Sequence, residues 1–457
     1  MEARSSNPQH GRRQALAVVC AALLLCYPAV YNGYPFVYSD SGTYLNSAIT
    51  FHASWNRPFF YSLFLLGLHL RTSLWLIPLG QALIVTYLLH VVVASLFPTL
   101  GTLAFVFLMA LLATFSSLPW FASEIMPDVF CPVVVLTTFL LAFARDSMKR
   151  VDVVFVWLML AVAVMSHLSN VPLAIGMLGV TAIAVPLTRA PGVREAVLLI
   201  GTSIIAALAA LVLGNYVATG EMSLSSYAAP IFTLSRMIED GTATAYLRET
   251  CGVRRYRLCD YLDRLPMPMD DFLWRTKDSP LYVIGVHAAR DEAREIVAGA
   301  LRSHPWMQLE ATWSNVAQQL RLHATGAELS PRLSPWFIND VVATWFPAEY
   351  ESYRTSRQNT GTLHMAAVAS LNDYALYVSL LLFVSLGALC IQRSHVQAER
   401  LALFVVCGIL GNAIIVGALS APASRYESRI AWLGVFWVAL VCIGLITTKR
   451  KAASRRV

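Results

Sequence analysis

The sequence predicts an all-α polytopic membrane protein of about ten transmembrane helices, with a mostly helical extracytoplasmic domain between spans seven and eight. Three observations carry this prediction. Hydrophobic residues make up 57% of the 457 residues and charged residues only 13%, against about 25% charged in a soluble domain. Apolar runs near the ~20 residues that a helix needs to cross hydrocarbon recur along the chain. Basic residues crowd the short loops of one side.

The candidate spans lie near 14–32, 73–97, 101–116, 128–144, 151–165, 171–188, 195–214, 373–391, 400–419 and 430–447. With the N-terminus placed in the cytoplasm, that side receives Arg12, Arg13, Arg145, Lys149, Arg150, Arg189, Arg194, Arg393, Arg400, Lys449, Arg450, Lys451, Arg455 and Arg456. The opposite short loops hold Arg57, Arg71, Arg425 and Arg429. One orientation therefore satisfies every loop, with both termini cytoplasmic. The net charge of +7 is distributed between apolar runs in this way, which excludes a nucleic-acid face. Residues 1–32 have the basic start and apolar core of a secretory signal, but Tyr27 and Pro28 stand where a cleavage site wants small residues. They read as a retained first helix.

Between the first two spans, the run 58–70 is apolar but too short to span, and reads as a helix lying at the outer interface or re-entering. The chain divides into an N-terminal transmembrane module, 1–214, an extracytoplasmic domain, 215–372, and a C-terminal transmembrane module, 373–457. In the middle region, 288–323 reads as helix broken near His304-Pro305, with Trp306 and Trp313 at helical spacing. Such a helix suits either the membrane surface or the flank of its own domain. Cys20, Cys26, Cys131, Cys390, Cys407 and Cys442 fall inside predicted spans, where a thiol packs as a small apolar group. Cys251 and Cys259 are the only pair in the extracytoplasmic region and are expected to form a disulfide.

Four outer loops carry the groups able to do chemistry. The first holds Tyr38, Ser39, Asp40, Ser41 and Tyr44, followed by Arg57. A carboxylate at that depth is costly unless hydrated, paired or bound to a cation, although Asp40 would also serve as a helix N-cap. The second loop adds Glu124 and Asp128, either as two more acids for the same site or as groups favouring the start of the fourth helix. The third turn holds His167. The last loop holds Arg425, Tyr426 and Arg429, where the planar fork of an arginine could bind a phosphate or meet lipid headgroups. Three acids converging from separate loops could bind a divalent metal ion or supply a general base.

Taken in order, these loops resemble the GT-C superfamily of integral membrane glycosyltransferases, which includes aminoarabinose transferases, protein mannosyltransferases and bacterial lipopolysaccharide-sugar transferases. The likeness rests on SDSGTYL at 39–45, RPFFYSLFLLGLHL at 57–70, SEIMPD at 123–128, SRYESR at 424–429, and the His-Pro of AREIVAGALRSHPWMQL at 293–309. The resemblance implies a polyprenyl-phosphate-linked sugar as donor, Asp40 as the catalytic base or metal-associated acid, and Glu124, with Asp128 as the alternative, as the second catalytic acid. Tyr44, Arg57, His167, Arg425 and Tyr426 would contact substrate and membrane lipid. A divalent metal is an admitted cofactor. The acceptor is a glycan, lipid or protein. The site would lie on the outer face of a bacterial inner membrane. The chain departs from the family pattern at Ser41, where many members have a second acid, and at His167, where many have Arg. A lipid-linked glycan ligase or polymerase, a lipid or sugar transporter, and a non-catalytic membrane protein are the competing readings. The spans are almost free of ionisable residues, which speaks against a transporter.

Overall fold

The computed structural model describes residues 8–188, 190, 192–224, 228–275 and 278–454. Arg189, Arg455 and Arg456 of the basic-loop pattern lie outside the described residues. Among the described residues the chain is helical, with no strand beyond a single parallel bridge between Phe36 and Glu124.

Each apolar segment folds as helix, but the helices differ in reach. Seven are long and apolar enough to cross a membrane: Gly11–Asn32, Leu76–Leu96, Asn170–Leu187, Val193–Val217, Met365–Gln392, Val396–Leu419 and Ser424–Thr447. The sequence-predicted spans at 101–116, 128–144 and 151–165 are the shorter helices Thr102–Phe115, Cys131–Phe143 and Arg150–Ser166. At 1.5 Å per residue, 14 residues reach only about 21 Å. The first of the three stops at Ser116, whose backbone is extended and whose hydroxyl donates back to the Leu112 carbonyl at 2.6 Å. The run at 58–70 is the helix Phe59–His69.

Residues 116–142 are buried without a break. This stretch, comprising the short helix Leu118–Ala122, the 123–130 turn and the helix Cys131–Phe143, is the spine on which the other helices pack. Its helix Cys131–Phe143 is mostly apolar all round, as a helix surrounded by protein requires, and the buried Thr137 and Thr138 donate to carbonyls of their own helix.

Residues 215–372 contribute to two cores. The first half builds its own, from Ile231, Leu234, Ile238, Phe272 and Ile296 on the helices Ala228–Glu239, Met269–Trp274 and Val286–Ser303. Cys251 and Cys259 are disulfide-bonded beside it, with Cα atoms 5.7 Å apart. The later part joins the main core through Ile338, Val341, Val342 and Tyr353. Between them, Val286–Ser303 and Pro305–Gln319 are separate helices that meet at His304. The second of these is fastened to the end of Val396–Leu419. Asn315 Nδ2 donates to the Gly417 carbonyl at 3.1 Å, and Gln319 Nε2 donates to the Ala423 carbonyl at 3.0 Å.

Two local features bring the site's loops together. The helix Ser41–Thr50 meets Phe337–Trp345 at backbone distance, because a Cβ on Gly42 would lie 2.8 Å from the Ile338 backbone. Only glycine admits so close an approach. The 33–41 segment is stitched to the 123–125 turn. Phe36 N–H donates to the Ser123 carbonyl at 3.0 Å, Ile125 N–H donates to the Phe36 carbonyl at 2.9 Å, and the Ser41 hydroxyl donates to the Ile125 carbonyl at 2.9 Å.

Candidate functional site

Four segments that are distant in sequence deliver their polar side chains to one cluster. The first is 38–57. Asp40 begins the helix Ser41–Thr50, but its side chain makes no capping hydrogen bond. It pairs instead with Arg57 at 2.6 Å, and both side chains are about five-sixths buried. The capping role open to Asp40 in the sequence is therefore not the one it takes. Arg57 also lies over the Trp274 ring, 5.5 Å from its centre, so the separate 231–300 core touches the site here. Tyr44, fully buried on the same helix, packs edge-on to Tyr61 at 4.8 Å. Tyr61 donates to Gln81 Oε1 at 2.9 Å, and Gln81 Nε2 donates to the Glu124 carbonyl at 2.8 Å. This chain of contacts holds the first loop against the second from beneath.

The second segment is the spine turn. Asp128 is buried, caps no helix by its side chain, and accepts from Arg429 Nη1 at 2.9 Å. Its other oxygen lies 4.0 Å from Arg425 Nη2. Glu124 is buried too, and among the described residues no hydrogen bond occupies its carboxyl. Burial pushes that carboxyl up to about 8, with Asp128 adding to the rise and Arg425 opposing it. Of the three acids, Glu124 is the one that, among the described residues, no arginine pairs with, which leaves it open to a ligand.

The third segment is the 167–169 turn. The Ser169 N–H donates to His167 Nδ1 at 3.2 Å, and its hydroxyl lies 2.7 Å from the same nitrogen. With Nδ1 accepting, the neutral ring carries its proton on Nε2. Burial first, and Arg429 second, lower His167 to about 3, so it stays neutral and serves as a donor through Nε2.

The fourth segment differs from its expected form. Residues 424–429 are not a loop. The helix Ser424–Ser454 begins there, which puts Arg425 and Arg429 one turn apart on one face. Arg429, for which the sequence left open a phosphate-binding or a lipid-facing role, is fully buried and makes several polar contacts. Besides Asp128, it donates to Asn412 Oδ1 at 2.8 Å and to Ser169 Oγ at 3.2 Å. Arg425 does not face outward to lipid. Its guanidinium lies 4.2 Å from the Tyr38 ring centre and 4.8 Å from that of Tyr426, and Glu328 is 3.9 Å from its Nε. Its Nε and Nη1 are buried without a hydrogen-bond partner.

A fifth contributor had no signal in the sequence. The 324–336 segment brings in Glu328 and Arg332, the latter 5.0 Å from the Tyr38 ring centre and 4.3 Å from that of Trp336. Asp40, Glu124, Asp128, Tyr44, Arg57, His167, Arg425 and Tyr426 all belong to this cluster. Arg332, Arg429, Ser169, Asn412 and Glu328 complete it. Only the Arg425–Arg429 spacing could have been noticed, and only once 424–429 is taken as helix.

The donor set favours an anion over a cation. Arg57 stands on Asp40, and Arg429 and Arg425 on Asp128, so the carboxylates that a divalent metal would need already face guanidinium groups. Among the described residues no three His, Cys, Asp or Glu side chains group to hold a metal ion.

The Asp128–Arg429 pair sets a direct test. Removing either partner leaves a buried charge uncompensated, which costs about 3–5 kcal/mol. Asp128→Asn and Arg429→Met should each destabilise the detergent-solubilised protein by about that much, and the double variant by clearly less than the sum. Additive losses in thermal unfolding would mean that the two side chains do not depend on each other.

Comparison of the chain with family models, with curated proteins and with solved structures finds no match.

Proposed function

We propose that the chain is an integral membrane glycosyltransferase that moves a sugar from a polyprenyl-phosphate-linked donor to an acceptor on the outer face of a bacterial inner membrane. The observation that carries this reading is the buried convergence of Asp40, Glu124, Asp128 and His167 with four arginines, drawn from helix ends and loops that helix packing alone does not oblige to meet. A structural ion pair needs two residues. A cluster with an unbonded Glu124 and unpartnered Arg425 nitrogens has capacity left for a ligand.

In this reading the acceptor hydroxyl gives its proton to the Asp40 carboxylate as its oxygen bonds to the anomeric carbon. The bond from that carbon to the phosphate oxygen breaks, and its electron pair leaves on the phosphate. Arg425 faces the developing phosphate charge, and protonated Glu124 donates to it a hydrogen bond that water would otherwise supply. Arg57 occupies Asp40 in the absence of substrate. Its shift towards the incoming phosphate would free the base.

Ten helices cross the membrane in this proposal, with both termini cytoplasmic and 215–372 outside. The three short helices then span where the bilayer thins around the protein, or where the recess reaches below the membrane surface. Reporter fusions at Met148 and Thr325 should report opposite sides of the membrane. The same side for both would refute the topology.

Transfer by the purified chain in lipid nanodiscs tests the chemistry. Asp40→Asn, nearly isosteric, should lower the rate by about 10²–10⁴-fold with folding unchanged, the range of a lost general base. Arg425→Ala should chiefly raise the donor KM. The raised Glu124 carboxyl keeps its proton below about 8 and loses it above, so transfer should fall as pH rises through that value. Glu124→Gln, which donates at every pH, should remove the alkaline fall. Full activity in Asp40→Asn would exclude the mechanism.

A further inference from the structure

The helix Pro305–Gln319 has its amphipathic sense reversed. The face turned into the protein is mostly polar, with Gln308, Asn315 and Gln319 on it beside Val316. Gln308 Nε2 donates to Asp240 Oδ2 at 2.8 Å, and Asn315 Nδ2 donates to Asp240 Oδ1 at 3.0 Å as well as to the Gly417 carbonyl. The face turned away carries Trp306, Leu309, Trp313, Ala317 and Leu320, all exposed and all three or four residues apart. Trp306 is 78% and Trp313 56% exposed. A helix on the flank of a soluble domain turns its apolar stripe inward and its polar face to water. Here the stripe faces out, and leaving it in water is unfavourable, so an apolar partner covers it.

The position of the helix says which partner. The long helix Val396–Leu419 exposes Leu403, Val406, Leu410 and Ile414 at the same three- or four-residue spacing, as a membrane-crossing helix does on its lipid side. Gly417, one turn beyond Ile414 on that stripe, is buried, because Val316 lies against it. A Cβ on Gly417 would lie 2.8 Å from the Val316 backbone nitrogen, so the two helices touch at backbone distance. Pro305–Gln319 therefore sits over the end of the lipid-facing stripe, on the periphery of the bundle. Its own apolar face continues that periphery at the level where hydrocarbon gives way to headgroups, the depth that tryptophan favours. Arg302 and Arg321, both exposed, flank the stripe as snorkelling cations do.

The same helix grips the start of the last one. Gln319 Nε2 donates to the Ala423 carbonyl and Gln319 Oε1 accepts from the Ala423 N–H, each at 3.0 Å. Ala423 immediately precedes the helix Ser424–Ser454, two residues before Arg425.

We propose that Pro305–Gln319 is an interfacial helix whose Trp306–Leu320 stripe is sunk in the headgroup–acyl boundary of the bilayer, and that through Gln319 it holds the turn from which Arg425 departs. The partner is phospholipid. The inference needs only that the long apolar helices cross a membrane, and it is independent of glycosyl transfer.

Full-length protein in phosphatidylcholine nanodiscs, with a fraction of the lipid carrying a diazirine near the top of one acyl chain, provides the test. After irradiation, mass spectrometry should find label on Trp306, Leu309, Trp313 and Leu320, and none on Gln318, which is exposed on another side of the helix. Replacing both exposed tryptophans, Trp306→Ser with Trp313→Ser, should remove that label. Label on the spans and thermal unfolding in detergent should stay as in the native chain. In nanodiscs the same double variant should speed amide exchange at Ala423 by about five- to tenfold, the worth of one hydrogen bond. Gln319→Leu should speed that exchange alike while the stripe keeps its label. A bare stripe beside labelled spans, a stripe cross-linked to a second copy of the chain, or unchanged Ala423 exchange once the label is lost would each overturn the proposal.

Discussion

Everything in the site is arranged around the buried pair of Asp128 and Arg429. Arg429 reaches the spine turn through Asp128, the 167–169 turn through Ser169, and the preceding long helix through Asn412. A buried ion pair is a poor source of net stability, because the desolvation of both charges offsets most of their attraction. Its value here lies in specificity. The start of the last helix has one register in which Arg429 meets all three partners, and that register also fixes Arg425 one turn earlier, over Tyr38. If the register slipped, Asp128 would lose both of its guanidinium partners.

The second constraint is that the first loop cannot move independently of the spine. Ser41 uses its hydroxyl to join the two segments, accepting from the Tyr38 N–H and donating to the Ile125 carbonyl. A carboxylate there would lack the proton that the Ile125 carbonyl accepts. Gly42 extends the same fixing outward, bringing the 337–345 helix down onto the loop. These contacts fix the backbone of both loops around the charged cluster.

Much of this was legible in the chain and some was not, for identifiable reasons. The apolar runs gave the helices, because a 57% hydrophobic chain has few other ways to satisfy its backbone. Asp40, Glu124, His167 and Arg425 stood out because charged and polar groups are rare beside apolar runs. The runs at 101–116 and 128–144 fold close to their expected bounds, as Thr102–Phe115 and, after the short turn Pro127–Phe130, Cys131–Phe143, but both are shorter than the seven helices long enough to cross a membrane. Arg429 was undervalued because 424–429 has the composition of a loop, and only tertiary packing makes it a first helical turn. Arg332 and Glu328 were invisible. Nothing in a polar stretch such as 324–336 distinguishes two residues that turn inward from their neighbours.

The proposed transferase consumes a lipid-linked sugar on the outer face of the membrane. Mass spectrometry of cells that lack the protein, resolving both the envelope glycans and the polyprenyl-phosphate sugars, measures this directly. The account predicts that one sugar disappears from the glycan while its lipid-linked donor accumulates in the outer leaflet, and that reintroducing the native chain reverses both. Unchanged glycans, or a donor trapped in the inner leaflet as the loss of a transporter would leave it, would contradict the account.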